Sequence, residues 1–242
     1  MKLRLLFIFA LISSATFAQD NLIVNLGVNY SPRAAIINRN ALRNTLVDST
    51  YFDSRNMHEF TLNLGFNIMS KYTAELNGGY STFLVDEVSN YQTLENVGDT
   101  VRTLGETKFE HFKIGVNNQF RLVRSKSVNL FAIVGFDYYL NRSITYSKSN
   151  VYVALITGSF TDYGVNRYPD IDFKDANSNY WRVRAGVGFD LFLSYNLSFK
   201  STLTYGYSSI PTYGETVGLG SFNAHEVFVS GGLNYYFTKA PK

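Results

Sequence analysis

Each of the three histidines in this 242-residue chain stands next to a glutamate. The pairs are His58–Glu59, Glu110–His111 and His225–Glu226. Histidine is the usual general base of enzymes, and histidines with carboxylates also bind metal ions. If the three pairs converged in the fold, they would form an acid–base site or a metal site. Whether they converge depends on the elements that carry them.

A second set of chemically active side chains consists of charged residues within segments that are otherwise apolar or small. These residues are Glu75, Lys113, Arg121, Asp137, Arg182, Arg184, Asp190 and Lys200. A charge removed from bulk water persists only if it is paired or locally hydrated. We therefore expect these residues to form ion pairs wherever the fold encloses them. Such a network either fills an enclosed space or gates the passage of solutes through it.

The segments that carry these residues alternate between apolar and polar side chains, as β-strands do. Eight segments have apolar residues on one face and mostly Asn, Ser, Thr or Gly on the other. They cover residues 22–30, 60–68, 72–82, 112–122, 128–140, 181–191, 197–207 and 227–237. No stretch after residue 18 has 18 consecutive apolar residues, so the pattern excludes a helical membrane protein.

The connections between these segments alternate in length. Three are tight turns, near residues 69–71, 124–127 and 194–196. Four are longer and more polar, near residues 31–57, 84–106, 142–179 and 208–223. The pattern predicts an all-β fold, an eight-stranded antiparallel up-and-down β-barrel with short turns at one end and four long loops at the other. The apolar stretch 151–156 in the third loop has several interpretations: it extends the barrel above the membrane, folds inward as a plug or contacts a partner, and a ten-stranded barrel is an alternative.

The N-terminus has the composition of a secretory signal peptide. Lys2 and Arg4 precede an apolar run and small residues that lead to Ala18, so we predict cleavage after residue 18 and a single domain over residues 19–242. The formal charge of +3 falls to +1 when Lys2 and Arg4 are removed, so nothing indicates nucleic acid as a partner. The chain has no cysteine, which excludes a disulfide framework, and we predict no metal and no cofactor.

Alternation alone does not say which face of a barrel points outward. A soluble lipocalin-type barrel, with its apolar face inside, is the alternative to a membrane barrel. The polar face here has few charges, which suits a crowded interior better than a surface in water. Aromatic residues also gather near the strand ends, as in membrane-interface girdles. These are Tyr30, Tyr80, Tyr138, Trp181 and Tyr207 at one rim, and Tyr72, Phe120, Tyr235 and Phe237 at the other.

The last strand carries a short motif made of Ser230, Gly232, Tyr235 and Phe237. It resembles the assembly signal in the terminal strand of outer-membrane β-barrels. With the strand pattern, the chain resembles small outer-membrane barrels of the OmpA and OmpX type, often grouped as porin-family proteins. The resemblance implies location in a bacterial outer membrane, contact with outer-membrane lipid, and insertion by the barrel-assembly machinery. It brings no catalytic residues with it.

Eight strands leave an interior just wide enough for side chains to fill. We therefore predict a lumen plugged by the ionic network and a non-enzymatic role, in envelope structure or in surface interaction with an unknown ligand or partner at the loops. A narrow or laterally gated channel for small solutes is the alternative. A lipid-modifying enzyme or a protease is less favoured, because alternation places His58 and His225 on the lipid face and His111 in the lumen.

Overall fold

The structure is a computed structural model that describes residues 23–36, 51–69, 71–92, 100–125, 127–156, 159–173, 178–214 and 218–237. These residues form ten strands and no helix. The strands are β1 (Ile23–Ile36), β2 (Tyr51–Met69), β3 (Tyr72–Gln92), β4 (Thr100–Arg124), β5 (Val128–Ile156), β6 (Ser159–Arg167), β7 (Ile171–Phe173), β8 (Tyr180–Phe192), β9 (Leu197–Gly214) and β10 (Gly218–Phe237). Among the described residues, no helix has the length and apolar character needed to span a membrane. The predicted signal peptide lies outside them.

Eight of the strands close into a barrel in the order β1, β2, β3, β4, β5, β8, β9, β10, and β10 pairs back with β1. All of these pairings are antiparallel. The closing pair has Leu26 opposite Tyr235. The predicted eight-stranded up-and-down barrel is thus confirmed. The ten-stranded barrel is not formed, because β6 and β7 lie outside the ring and pair with the outer part of β5.

The three predicted tight turns lie together at one end of the barrel. Between β4 and β5, the Ser125 hydroxyl accepts a hydrogen bond from the Val128 N–H at 2.9 Å and donates to its carbonyl at 3.0 Å. Between β8 and β9, the Leu193 N–H donates to the Leu197 carbonyl at 2.9 Å. Short turns face the periplasm in barrels of this type, so we call this the periplasmic end and the other the external end.

At the external end, most of the predicted loop length is strand. β5 runs for 29 residues, to Ile156, whereas the alternation was expected to end near residue 140. The β3–β4 pairing continues to Gln92 opposite Thr100, and the β9–β10 pairing to Gly214 opposite Gly218. Strand pairing therefore extends further into the external connections than the pattern predicts, in the part of the chain that the structure describes. The barrel wall continues upward, and the apolar stretch 151–156 is the part of β5 that pairs with β6.

The outward face of the barrel carries a continuous belt of exposed apolar side chains. Its members reach all eight barrel strands: Leu26, Val28, Phe60, Leu62, Leu76, Phe112, Ile114, Phe120, Leu130, Val134, Phe136, Val183, Val187, Leu203, Tyr205, Val229, Leu233, Tyr235 and Phe237. A patch this large does not occur on a monomeric protein in water. The apolar face points outward, as predicted, and the belt is that of a barrel surrounded by lipid.

The polarity of the two faces reverses along the longer strands. On β4, the outward residues Phe112 and Ile114 are apolar, and the inward Lys113 is charged. Further toward the external end, the outward residue is Lys108 and the inward one is Phe109. On β4 the side chains keep the same parity, so there the surroundings change and not the register. On β5 a bulge at Arg142 shifts the parity, so that Asp137 and Tyr139 face inward below it and Ile144 and Tyr146 above it. The level of residues 111–112 is where lipid gives way to water.

Candidate functional site in the barrel lumen

The centre of the lumen holds a cluster of five charged side chains. Arg182 on β8 donates two hydrogen bonds to Glu59 on β2, at 2.7 and 3.0 Å. It also donates to Asp137 on β5, at 2.9 Å. The guanidinium therefore joins strands on opposite sides of the barrel. Bidentate pairs of this kind are the strongest hydrogen-bonded ion pairs in proteins, and they fix geometry as well as charge.

Lys113 and Arg184 complete this cluster. The Lys113 ammonium lies 2.8 Å from Glu59 and 3.5 Å from Asp137. Arg184 donates to Asp137 at 3.3 Å and to the Asn117 side-chain oxygen at 2.9 Å. Four of the five charged residues are no more than 2% exposed, and Arg184 is 8% exposed. Three cations thus surround two carboxylates in a space without bulk water. We call these five residues the central ion cluster.

A second ion pair lies closer to the periplasmic end. The Lys200 ammonium is 2.5 Å from Glu75. The same carboxylate accepts hydrogen bonds from Asn117 at 2.7 Å and Gln119 at 3.0 Å. Because Asn117 also accepts from Arg184, the second pair is connected to the central ion cluster. Hydrogen bonds and ion pairs therefore link six strands across the lumen: β2, β3, β4, β5, β8 and β9.

The remaining two charges of the predicted set are placed apart from this cluster. Arg121 and Asp190 line a small cavity at the periplasmic mouth, together with Lys200 and Tyr236. Asp190 is buried, and one of its carboxylate oxygens has no hydrogen-bond partner. The structure thus brings six of the eight predicted residues into one network and puts Arg121 and Asp190 below it.

Two glutamates that belong to the lumen were not assigned to it from the sequence. Glu59 is the main acceptor of the central ion cluster, and Glu226 on β10 binds Arg33 at 2.9 Å and Ser208 at 2.7 Å. Both had been considered only as neighbours of histidines. The signal was present, because alternation that turns His58 and His225 outward must turn the next residue inward.

Above the central ion cluster, the lumen is filled by apolar and aromatic side chains. We call this group the apolar cap; its buried members are Met57, Phe83, Val85, Phe109, Tyr139, Ile144, Tyr180, Ile210, Ala224 and Phe228. The rings of Tyr139 and Tyr180 are stacked with centroids 4.2 Å apart. The cap rests on the ions, since the Arg182 guanidinium lies 4.1 Å from the Phe228 ring centroid and Tyr139 donates to Glu59 at 2.6 Å.

The three histidines do not converge. His111 is fully buried in the apolar cap, with its ring stacked on Phe83. His58 and His225 are outward and accompany tyrosines of neighbouring strands. The hydroxyl of Tyr30 lies 2.7 Å from Nδ1 of His58, and the hydroxyl of Tyr205 is hydrogen-bonded to Nδ1 of His225. Rings with an apolar body and a polar group, such as those in these two pairs, are typical of the membrane–water interface.

His111 has a serine neighbour, but the geometry does not make a catalytic pair. Nε2 of His111 lies 3.0 Å from the carbonyl of Ser178 and 3.2 Å from its hydroxyl. A carbonyl only accepts, so Nε2 carries the proton and cannot remove one from the hydroxyl. That hydroxyl donates to Asn141 at 2.8 Å instead. In the part of the chain that the structure describes, no three His, Cys, Asp or Glu residues are placed to share a metal ion.

The closed ring of eight strands, the lipid-facing belt and the filled lumen define a small outer-membrane-type β-barrel. No protein-family model and no curated protein matches the chain. Solved structures that resemble it include Ail of Yersinia pestis, at 12% identity and a TM-score of 0.38 over 89% of this chain and 98% of Ail. The N-terminal barrel domain of Pseudomonas aeruginosa OprF has 10% identity and a TM-score of 0.37, over 89% and 97%.

The outer-membrane protease OmpT of Escherichia coli is also among these structures. It has 11% identity and a TM-score of 0.36, over 90% of this chain and 97% of OmpT. The identities and TM-scores are low throughout, so these likenesses assign no activity to the chain.

Proposed function

We propose that this protein is a bacterial outer-membrane barrel with a plugged lumen, exported by its signal peptide, and that it acts as a structural or interaction protein of the envelope. The observation that carries the proposal is the central ion cluster beneath the apolar cap. Arg182 joins two carboxylates on opposite walls, and aromatic rings close the space above it. The lumen therefore contains two successive obstacles of different chemistry.

Both obstacles oppose an open channel. An eight-stranded barrel has room for little more than its own side chains. The buried ions stabilise one another, and removal of one partner leaves an uncompensated charge at a cost of about 3–5 kcal/mol. Even if the ions rearranged, water would still have to cross the cap, in which Phe83, Phe109 and Tyr139 are at most 1% exposed.

The test is conductance in planar bilayers at several voltages and salt concentrations. Residues 19–242 should insert and stay silent. Asp137→Asn and Arg182→Gln should also stay silent, because the apolar cap remains in place. Lys148→Gln, an external substitution that removes the same charge as Arg182→Gln, is the control.

The narrow or gated channel is the alternative that this experiment separates. It would give stepwise currents in the unsubstituted chain, and Asp137→Asn or Arg182→Gln would change their size or voltage dependence. The plugged lumen would be overturned if the unsubstituted chain gave currents that change in Asp137→Asn or Arg182→Gln and stay the same in the Lys148→Gln control. Insertion is verified independently in vesicles, where the bilayer protects the membrane-spanning strands from added protease, so a silent barrel is distinguishable from a failed insertion.

We propose further that the protein is not an enzyme. The support is the protonated Nε2 of His111 beside Ser178 and the outward positions of the other two histidines. The folded chain in phospholipid vesicles, with added peptide substrates, should hydrolyse neither lipid nor peptide. An activity that His111→Ala abolishes and His58→Ala retains would contradict this proposal.

The part of the protein available for surface interaction is the external extension of the wall. It contains the outer part of β5 together with β6 and β7. If this extension serves interaction only, its removal should leave the barrel intact. Replacement of residues 151–166 by a short turn should leave the urea midpoint of unfolding unchanged. A large loss of stability would show that the extension is instead part of the scaffold.

The terminal motif is proposed to guide insertion by the barrel-assembly machinery. Ser230 and Gly232 face the lumen, whereas Tyr235 and Phe237 are outward and about half exposed on the strand that closes the ring. Phe237→Ala should slow insertion into vesicles that contain the assembly machinery and leave spontaneous folding in detergent unchanged. Equal effects in the two settings would make Phe237 a packing residue only.

A further inference from the structure

The outward face at the external rim is not uniform around the barrel. Over β8, β9, β10, β1 and β2 it presents neutral rings, including Trp181 packed against Tyr207 and the two tyrosine–histidine pairs. Over β3, β4 and β5 it presents cations on an aromatic platform. The guanidinium of Arg142 lies 5.5 Å from the ring centroid of Tyr80 and 5.6 Å from that of Phe112.

This cationic sector lies directly above the apolar belt. Phe112 and Ile114 on β4 are 51% and 53% exposed, and they point into the lipid. Glu110 is two residues further out, or about 7 Å along the strand, and Lys108 about 13 Å. Strand tilt reduces these heights to about 5 and 10 Å. The headgroup layer is roughly 5–8 Å thick on each side of the hydrocarbon, so Arg142 and Glu110 lie at its level and Lys108 lies at its outer edge.

At the level of Arg142 and Lys108, two cations face one carboxylate, Glu110; the other outward carboxylates of the sector, Asp86 and Glu106, lie opposite each other further out on β3 and β4. Glu110 binds Lys108 at 2.6 Å and the Ser143 hydroxyl at 3.0 Å. Its hydrogen bond from Lys108 lowers the pKa of Glu110 to about 2, so it stays ionised at any physiological pH. Arg142 is 3.9 Å from the same carboxylate, a distance longer than a hydrogen bond. One carboxylate thus serves two cations. Arg142 also donates a hydrogen bond to the Tyr80 hydroxyl, and its remaining N–H groups are able to bind a further acceptor.

We propose that Tyr80, Phe112 and Arg142, with Lys108 above them, form a binding site for the phosphate group of an anionic outer-leaflet lipid. The planar guanidinium accepts phosphate in a bidentate manner, and the rings below hold it in place. An acyl chain of the same lipid lies against Ile114 and Leu140. This site rests on the proposed placement of the barrel in an outer membrane, and it assigns lipid binding to one sector of the external rim, that of β3, β4 and β5.

A fluorescence experiment tests the site directly in the folded chain. Trp181 is the only tryptophan and lies in the neutral sector, so it reports on lipid there. A second chain, with Trp181→Phe and Ile114→Trp, reports on lipid beside the cationic sector. Both are folded into phosphatidylcholine vesicles that contain brominated phosphatidic acid. Parallel samples contain brominated phosphatidylcholine at the same mole fraction, and quenching by the two lipids is compared.

The expected result is preferential quenching by phosphatidic acid at position 114 and no preference at Trp181. Arg142→Gln should reduce the preference about fivefold, as expected for loss of one cation near anionic lipid. Lys148→Gln is the matched control, because it removes the same charge from the same strand further out, where Lys148 lies over the ring of Tyr168. It should leave the preference unchanged.

Three results would overturn the site. A preference that is equal at both tryptophans would indicate general surface potential. A preference for phosphatidic acid that is unchanged in Arg142→Gln would show that the guanidinium does not contribute to lipid binding. Complete competition by inorganic phosphate would show that the lipid chain contributes nothing. In each case, quenching of both tryptophans by brominated phosphatidylcholine still shows that the barrel lies in the bilayer, so the two proposals fail separately.

Discussion

Two parts of the lumen solve the same packing problem with opposite chemistry. Within the membrane, Lys113 on β4 faces a cluster of carboxylates and guanidinium groups. Above the membrane, Phe109 on the same face of the same strand packs in an apolar core. The difference shows that the surroundings outside the wall decide what is placed inside it. Where the wall contacts lipid, the outward side chains are apolar and the inward ones are polar. Where the wall contacts water, the outward side chains are polar and the inward ones are apolar.

The sharpest way to break this comparison is to remove the cation that joins the walls. Arg182→Met leaves the buried carboxylates of Glu59 and Asp137 without their main partner. It should lower the free energy of unfolding by up to about 5 kcal/mol, measured by urea unfolding of the barrel in vesicles. Arg124→Gln removes a cation at the exposed periplasmic turn and should change stability by less than about 0.5 kcal/mol. Similar losses in both variants would deny the central ion cluster a structural role.

The apolar cap is tested by two phenylalanines on β4. Phe109→Ala opens a cavity in the cap and should cost about 3–5 kcal/mol in the same urea assay. Phe112→Ala lies three residues away on the lipid face and leaves no cavity inside the protein, so its cost should be much smaller. If Phe112→Ala were the more damaging of the two, the upper lumen would not behave as a core.

The adjacent glycines of β3 compare the lumen face with the lipid face at a single level. A Cβ on Gly79 would come within 2.0 Å of the Phe60 carbonyl oxygen, whereas on Gly78 the nearest atom would be 3.9 Å away. Gly79→Ala should therefore cost about 1–3 kcal/mol through overpacking, and Gly78→Ala close to nothing. Equal unfolding midpoints for both variants would show that the backbones of β2 and β3 move apart to accept the added methyl group without loss of stability.

The smallest effect is expected at the water-exposed ions of the external rim. Glu110→Gln removes the partner of Lys108 and Arg142, yet these cations are half exposed and screened by solvent. The free energy of unfolding should fall by less than about 1 kcal/mol. The low pKa of Glu110 keeps it ionised in the folded state, so any contribution is present above the unfolded pKa of about 4.3 and is lost as the pH falls toward 2. We therefore expect the difference in free energy of unfolding between Glu110→Gln and the unsubstituted chain, measured by urea unfolding, to be constant between pH 5 and 8.

Much of the barrel could be predicted from period-two alternation, and the limits of that prediction have a single cause. Inside the membrane, Phe112 and Lys113 alternate strongly, because lipid and lumen differ in polarity. Beyond Glu110 the alternation continues with its sense reversed, and short polar side chains such as Thr107 weaken it. A search for apolar faces therefore ends each strand at the membrane surface. For this reason the pattern leaves the extension of β5 as one of several interpretations of residues 151–156 and does not predict β6 and β7.

The candidate site shows the same limit in its residues. Glu75, Lys113, Asp137, Arg182, Arg184 and Lys200 were predicted to face the lumen, and the structure places them there. The predicted partners were incomplete, because Glu59 was grouped with His58 and not tested for its own parity. Tyr139 was missed for another reason. An aromatic residue on a strand gives the same sequence signal whether it faces lipid or fills a lumen, and only the fold separates the two.

The unequal lengths of the barrel strands have a consequence for what the cell surface presents. β8 has 13 residues and β5 has 29. At about 3.3 Å per residue and a tilt of about 40°, the two walls stand about 33 and 73 Å high. The first barely clears a hydrocarbon layer of about 30 Å, and the second rises far above it. The wall does not end where β8 ends, because β7 and then β6 continue along the same edge of β5. A neighbour on this side therefore meets β8 at the level of the lipid and a separate piece of the chain above it, so the exposed surface can change in β6 and β7 while the membrane-spanning wall stays the same.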